Sequence, residues 1–309
     1  MNKVDQFDRI RGTLYGVAVG DCLGASVEFM DARDIQRQIG TVTEIMPSWL
    51  DGTVGKGTDD TAMTLAVAEG IMKTGPLDDP VEKIGAEFVR WFRNGPVGCG
   101  NICYRAIAEA SRGGKLSMPT RNRWFTAAEK VHRALNGRSG GNGTLMRTAP
   151  IGLLLKDSAC DGLAYAASKM THYDDDAALV CIIYCEMIGD LIQGGSLREV
   201  LERLTAKTEY YPVTQDPKFV PFPTGYVKDS FKTALWGLCN ERNLEDALIA
   251  IVNLGGDSDT TAAIAGGLAG AAYGLSAIPP RWIAALDAGL TARLDACALA
   301  AAKVWDCEP

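Results

Sequence analysis

Four glycines at four-residue spacing, Gly12, Gly16, Gly20 and Gly24, run along the first segment of this chain whose apolar residues recur with helical periodicity. Inside a helix each glycine costs roughly 0.5–1 kcal/mol relative to alanine. Four of them on one face make a stripe without side chains, which permits close backbone approach. That cost makes sense where another helix packs tightly against the stripe, so the first constraint on the fold is helix against helix.

The rest of the sequence agrees with that constraint. Apolar residues recur at three-to-four spacing from about 9 to 27, 60 to 73, 79 to 93, 101 to 112, 122 to 135, 144 to 155 and 158 to 171. Further helices are predicted at about 175 to 193, 196 to 207, 225 to 240, 243 to 253, 259 to 274 and 279 to 304. The best strand candidate is short, Val42 to Ile45. Breaks are marked by Gly75-Pro76, Gly95-Pro96 and Pro279-Pro280. The expectation is one compact all-α domain over residues 1–309, with helices crossing at several angles and no repeat of fixed period.

Composition bounds the partners. A formal charge of −7 argues against nucleic-acid binding through the net field, and leaves room only for a local basic cleft. Nine cysteines without a paired framework suit a reducing compartment, hence the cytoplasm. Cys99/Cys103 and Cys181/Cys185 have i, i+4 spacing, but with two histidines in the chain they read as core packing rather than a zinc site. The first residues contain no apolar signal region, and the longest apolar run, about fourteen residues, is too short to span a bilayer.

Two stretches carry the chemistry. Gly255-Gly256-Asp257-Ser258-Asp259-Thr260-Thr261 precedes a charge-free run from Ala262 to Leu275, and Gly57-Thr58-Asp59-Asp60-Thr61 precedes the apolar run from Ala62. One Asp or Thr suffices to cap a helix. A second carboxylate within two residues adds repulsion that a partly buried site tolerates only with counter-charge. Carboxylate and hydroxyl oxygens are the donors that hard cations such as Mg²⁺, Mn²⁺ or Ca²⁺ select. If the clusters converge, Asp59, Asp60, Asp257 and Asp259 supply four negative charges, matching two divalent ions; if they do not, each merely caps its own helix.

Other positions are candidates beside them. Glu28 stands seven residues after Asp21, on one face if the first helix runs through, and reads either as a solvated helix-end charge or as a carboxylate managing protons near the ions. Glycine-rich loops at 94–101 and 137–147 precede helices and leave N–H groups for an anion or diphosphate, or are surface loops. His172 sits at a helix junction before Asp174-Asp175-Asp176, of which Asp175 and Asp176 read as helix caps. Residues 208–224 read as a loop wrapping a site or as decoration, and Tyr226 offers either a stacking face or a core ring. His132 is given no role.

Taken in order, Gly-Asp-x-x-Gly-x-x-x-Glu, Gly-x-Thr-Asp-Asp-Thr, Gly-Asn-Gly-x-x-Met-Arg, Thr-His and Gly-Gly-Asp-x-Asp-Thr-x-Ala-x-x-Gly resemble the ADP-ribosylglycohydrolase family across residues 12 to 267. The resemblance implies a compact all-α fold with a binuclear Mg²⁺ or Mn²⁺ centre that cleaves the bond between an acceptor and C1″ of ADP-ribose. Its partners would be an ADP-ribosylated protein or small molecule, with nucleic acid only as a modified substrate, and ADP-ribose as product. On matching positions, Thr58, Asp59, Asp60, Asp257, Asp259 and Thr260 would be metal ligands. Glu28, Asp59, Asp60 and Asp257 would carry catalysis. Gly98, Gly100, Asn101, Asn142, Gly143, Met146 and His172 would border ADP-ribose, and Tyr226 would stack on adenine. One departure stands out: dinitrogenase-type members carry Asp-Ile-Gly in the first glycine-rich loop, where this chain reads Val97-Gly98-Cys99-Gly100-Asn101. With no carboxylate there, more of the chemistry falls on Glu28 and the metals. A non-catalytic ADP-ribose-binding or crystallin-like protein, and a metal-dependent nucleotide-diphosphate phosphohydrolase, are the alternative readings.

Overall fold

The computed structural model describes residues 3–96, 98–113, 118–216 and 218–307. Among them are sixteen α-helices and no strand. The helices are α1 (Lys3–Gly24), α2 (Ala32–Gln38), α3 (Asp59–Met72), α4 (Pro80–Arg93), α5 (Asn101–Ala110), α6 (Arg121–Ala134), α7 (Ala149–Leu154) and α8 (Asp157–Lys169). They continue with α9 (Asp175–Ile192), α10 (Leu197–Thr205), α11 (Tyr211–Gln215), α12 (Val227–Asn240), α13 (Leu244–Val252), α14 (Ser258–Tyr273), α15 (Pro280–Ala285) and α16 (Ala288–Trp305).

The partner of the glycine stripe is α14, a helix buried on every side from Ser258 to Ala272. A methyl group placed on Gly12 would lie 2.5 Å from the Gly270 carbonyl oxygen, on Gly16 2.1 Å from that of Gly266, and on Gly20 2.1 Å from that of Ala262. On Gly24 it would lie 2.4 Å from the Asp259 backbone. As the number rises along α1 it falls along α14, so the two helices are antiparallel and nearly in backbone contact. The end of α1 is thereby delivered to the start of α14. α9, α12 and α13 pack on the other faces of α14, and α3 lies against both members of the pair. One hydrophobic core cluster takes side chains from Ile10 to Cys307.

Several expected boundaries shift, each for a local reason. α1 stops at Gly24 rather than near 27, because the following turn leaves the helix to pair with the loop before α14: the Phe29 N–H donates to the Gly256 carbonyl (2.7 Å) and the Gly256 N–H to that of Met30 (2.8 Å). Asp21 and Glu28 are therefore not on one helical face. Val42 to Ile45 is not a strand; the Asn253 side-chain amide accepts from the Val42 N–H (2.9 Å) and donates to its carbonyl (3.0 Å), doing what a neighbouring strand would do. The segment 144–155 begins with a single tight turn at Asn142–Thr144, and α7 follows with Pro150 in its first turn, where no N–H is required. The run from 279 to 304 breaks at Asp287, whose carboxylate caps α16 through Gly289 and Leu290. The cap of α9 is Asp174, while Asp175 and Asp176 pair with Lys169 and Lys228.

Candidate metal centre and substrate cleft

Three helix ends meet at the site: the last turn of α1, the N-terminus of α3 and the N-terminus of α14. Asp21 is fully buried and accepts from the N–H groups of Thr58 (2.9 Å) and Thr61 (3.0 Å) and from the Thr61 hydroxyl. It ties α1 to the start of α3. Thr58 caps α3, and its hydroxyl and that of Thr260 lie 3.2 and 3.3 Å from the same Asp60 oxygen, Oδ2. The two acidic stretches, two hundred residues apart in sequence, therefore share one carboxylate. Asp257 accepts from the Asn142 amide (2.7 Å), which also donates to Ser230 (2.9 Å).

Carboxylate oxygens of Asp21, Asp60 and Asp259 all lie within 4.8 Å of one another, as do those of Glu28, Asp257 and Asp259. Asp259 thus joins two triads. Asp59 belongs to neither and faces the first glycine-rich loop, where a methyl on Gly98 would lie 2.9 Å from its Oδ1. None of these six carboxylates has a Lys, Arg or His partner among the described residues. Asp60 Oδ1 is buried with no hydrogen-bond partner at all.

Burial without counter-charge has the expected electrostatic result. Burial, then repulsion from Asp21, Asp59, Asp257 and Glu28, pushes Asp60 far above the usual carboxylate range. Asp259 is raised strongly by burial and by Asp60, Glu28, Asp257 and Asp21; Asp59 by burial, Asp21 and Glu28. Asp21 is raised by burial against the opposing pull of its Thr61 and Thr58 hydrogen bonds. Half-buried Glu28 rises to about 7 through burial, with Asp257 and Asp21 adding and the hydrogen bond from Trp49 opposing. The cluster cannot hold all its charges without cations, and the oxygen-only donor set with an orphaned oxygen fits hard divalent ions.

The remaining sequence candidates flank this centre unequally. Gly98, Gly100 and Asn101 form an exposed rim beside Asp59. Asn142 and Gly143 form the other rim, and Tyr226, 41% exposed, stands over Gly140 where a bridge joins Gly141 to Tyr226. His172 is buried beneath this second loop, with Nδ1 2.8 Å from the Thr171 hydroxyl and Nε2 3.0 Å from where a Gly141 methyl would sit. The Met146 side chain is in the hydrophobic core, and its carbonyl accepts from Thr64. His132 bonds Ser139, away from the carboxylates. The end of segment 208–224 does reach the site, since the Pro223 carbonyl accepts from the Asp257 N–H (3.2 Å).

Sequence reasoning passed over Asp21 as a site member. Its signal was available: an acid in the last turn of a helix opposes the helix dipole and needs another reason to be there. Trp49, which donates its indole N–H to Glu28 (3.0 Å), lies in an irregular loop with no pattern to reveal it.

Comparison with known proteins identifies the family. A family profile described as ADP-ribosylglycohydrolase matches residues 2–308. The chain belongs to the ADP-ribosylglycohydrolase family, hydrolases that act on ADP-ribosylated substrates, and removes ADP-ribose from such a substrate. It is 32% identical to the ADP-ribosyl-[dinitrogen reductase] glycohydrolase of Rhodospirillum rubrum, over 91% of this chain and 90% of that one. It is 28% identical to the ADP-ribosylarginine hydrolase Tri1 of Pseudomonas putida (strain GB-1), over 89% and 73% respectively. A solved structure titled ADP-ribosylglycohydrolase-related protein complex superposes with a TM-score of 0.79 at 28% identity, covering 97% of this chain and 99% of that one.

Proposed function

We propose that this chain, acting as one domain over residues 1–309, hydrolyses the bond between C1″ of ADP-ribose and an arginine nitrogen or a related acceptor, using two divalent cations, Mg²⁺ or Mn²⁺. The observation that carries the metal dependence is the convergence of five carboxylates, with Asp59 beside them, none with a cationic partner among the described residues and with one buried, unpartnered oxygen on Asp60. Thr58, Asp59, Asp60, Asp257, Asp259 and Thr260 would hold the ions, with Asp21 bracing the start of α3. When bound, such ions supply positive charge that attracts ribose hydroxyl oxygens and an attacking water.

The protein's own groups do the rest. In the net reaction water oxygen bonds to C1″ as the C1″–N bond breaks; one water proton is lost and the leaving nitrogen gains one. Glu28, a half-buried carboxylate with an oxygen within 4.8 Å of those of Asp257 and Asp259 and outside the proposed ligand set, suits that transfer. The two glycine rims, at Gly98, Gly100 and Asn101 and at Asn142 and Gly143, would bracket ADP-ribose, with Tyr226 placed for the adenine and His172 supporting the second rim from below. The arginine-linked substrate is supported by the activity named for the Pseudomonas relative. Nine free cysteines support a reducing, cytoplasmic setting, and no helix among the described residues is long and apolar enough to cross a membrane.

Arginine-, serine- and nucleic-acid-linked ADP-ribose, incubated with the protein and Mg²⁺ or Mn²⁺ and resolved by mass, test the reading. Free ADP-ribose from the arginine linkage, abolished by chelator, is expected. AMP as product would indicate a phosphohydrolase, and bound ADP-ribose without any release a binding protein.

A further inference from the structure

Beside Glu28 two aromatic side chains stand in solvent: Phe29 is 69% exposed and Trp49 54%. Their rings meet edge to face, with centroids 6.1 Å apart and planes at 70°. The Trp49 indole N–H donates to Glu28 Oε2 (3.0 Å), and a Glu28 oxygen lies within 4.8 Å of those of Asp257 and Asp259. The aromatic pair is therefore one hydrogen bond away from the carboxylate centre.

Nothing in the packing calls for these rings. Hydrophobic burial gains little from side chains left mostly in water. Trp49 anchors its loop through the backbone, its N–H to the Ala25 carbonyl (3.3 Å), which any residue can do. Phe29 has φ +64, a left-handed conformation that is a true outlier for a bulky residue. The pairing of 29–30 with Gly256 enforces it. Glycine at 29 would relieve the strain, yet the chain keeps an exposed ring there, and strain retained at a site is a mark of function.

We propose that Phe29 and Trp49 form the acceptor subsite, an aromatic lip that receives the planar guanidinium of an ADP-ribosylated arginine beside Glu28. The inference rests on the hydrolase reading above and adds which residues recognise the acceptor. Ring faces attract flat cations through their quadrupole. Even with two divalent ions bound, six carboxylates, −6 against +4, leave the site net negative, which favours a cation at its edge over an anion. A serine hydroxyl would gain nothing comparable from the rings. Trp49 has a second part as a positioning residue, since its donor-only N–H fixes the orientation of Glu28.

Phe29→Gly and Trp49→Leu, with Trp49→Phe as the conservative variant, are assayed on arginine-linked and serine-linked ADP-ribose, alongside calorimetric binding of free ADP-ribose. Phe29→Gly and Trp49→Leu should raise KM for the arginine-linked substrate about tenfold, the size of an exposed-to-half-buried cation–π contact. Affinity for free ADP-ribose should stay within about twofold, and Trp49→Phe should recover part of the KM loss because a ring remains. Phe29→Gly should melt no lower than wild type, so a lost activity cannot be ascribed to misfolding. Unchanged KM in an active wild-type background, or equal KM increases on both linkages, overturns the subsite alone, whereas a kcat loss shared by both linkages in Trp49→Leu and Trp49→Phe reports the lost hydrogen bond to Glu28. A wild-type enzyme that releases ADP-ribose from no linkage overturns the hydrolase reading and the subsite with it.

Discussion

Asn142 shows how one side chain can matter through what it holds. Its amide donates to Asp257 and Ser230 and closes the bridge between the second glycine rim and α14. A residue that orients a carboxylate ligand without binding the ion typically contributes 10- to 100-fold in affinity. Asn142→Ala is therefore expected to weaken Mn²⁺ binding by roughly that factor in a calorimetric titration, with a smaller loss of stability. His172 makes a different prediction, one of sign. Burial, and then the neighbouring Arg147, hold its pKa well below 6.5, so the folded chain keeps it neutral. As pH falls below 6.5 the unfolded chain takes up a proton that the folded chain refuses, so the contribution is present above 6.5 and is lost toward acid. Urea unfolding between pH 5 and 7.5 should show wild type losing at most about 1.4 kcal/mol per pH unit more than His172→Gln. At this scale the sequence was partly legible. Asp and Thr at helix starts announced an oxygen-rich site, whereas Met146 was drawn to the rim by motif although its side chain serves the core, and Asp21 was overlooked although its place against the dipole of α1 marked it.

The element that decides the geometry is the α1–α14 pair, and here substitutions separate contact from propensity. Gly266→Ala puts a methyl 2.1 Å from the Gly16 carbonyl oxygen, an obstacle that is backbone and cannot rotate away. Overpacking of this kind costs about 1–3 kcal/mol or more. Gly162, in α8, has nothing within 4 Å of an added methyl, so Gly162→Ala is expected to stabilise by about 0.4–1 kcal/mol through the unfolded chain. Urea midpoints moving in opposite directions for the two variants would establish that the stripe is a contact surface rather than a tolerated composition. Gly266→Ala should also weaken metal binding, because it pushes apart the helices whose ends carry Asp21 and Asp259. The stripe was readable from Gly12 to Gly24, since its spacing equals the helical repeat. Its partner was not: Gly266 and Gly270 are diluted among alanines, and only the folded pair reveals which small residues meet. Element ends erred where a tertiary contact overrode local preference, as at Gly24 and Asp287.

Across the whole molecule, fold and site are a single thermodynamic unit. Helix content and class followed from periodicity, but the convergence of positions 21, 28, 59, 60, 257 and 259 needed the antiparallel α1–α14 pair, which no local signal encodes. It follows that the site cannot exist in the unfolded chain, and that like charge is a standing cost to the folded one without ions. Divalent ions should then bind the native state alone and add RT ln(1 + [L]/Kd), about 2.7 kcal/mol at a hundredfold excess over Kd. In urea, Mg²⁺ or Mn²⁺ is expected to raise the unfolding midpoint while the slope with denaturant stays constant, since the surface exposed on unfolding is the same. Chelator should reverse the shift. Asp60→Asn removes the carboxylate whose Oδ1 is buried and unpartnered, so this variant should lose most of the response to ions. Without ions it should be no less stable than wild type, because burial first, and then Asp21, Asp59 and Asp257, disfavour a charged Asp60, a cost that a neutral amide does not carry. A full ion response in Asp60→Asn would move the ions to other ligands and leave the acidic cluster as an unexplained burden on the fold.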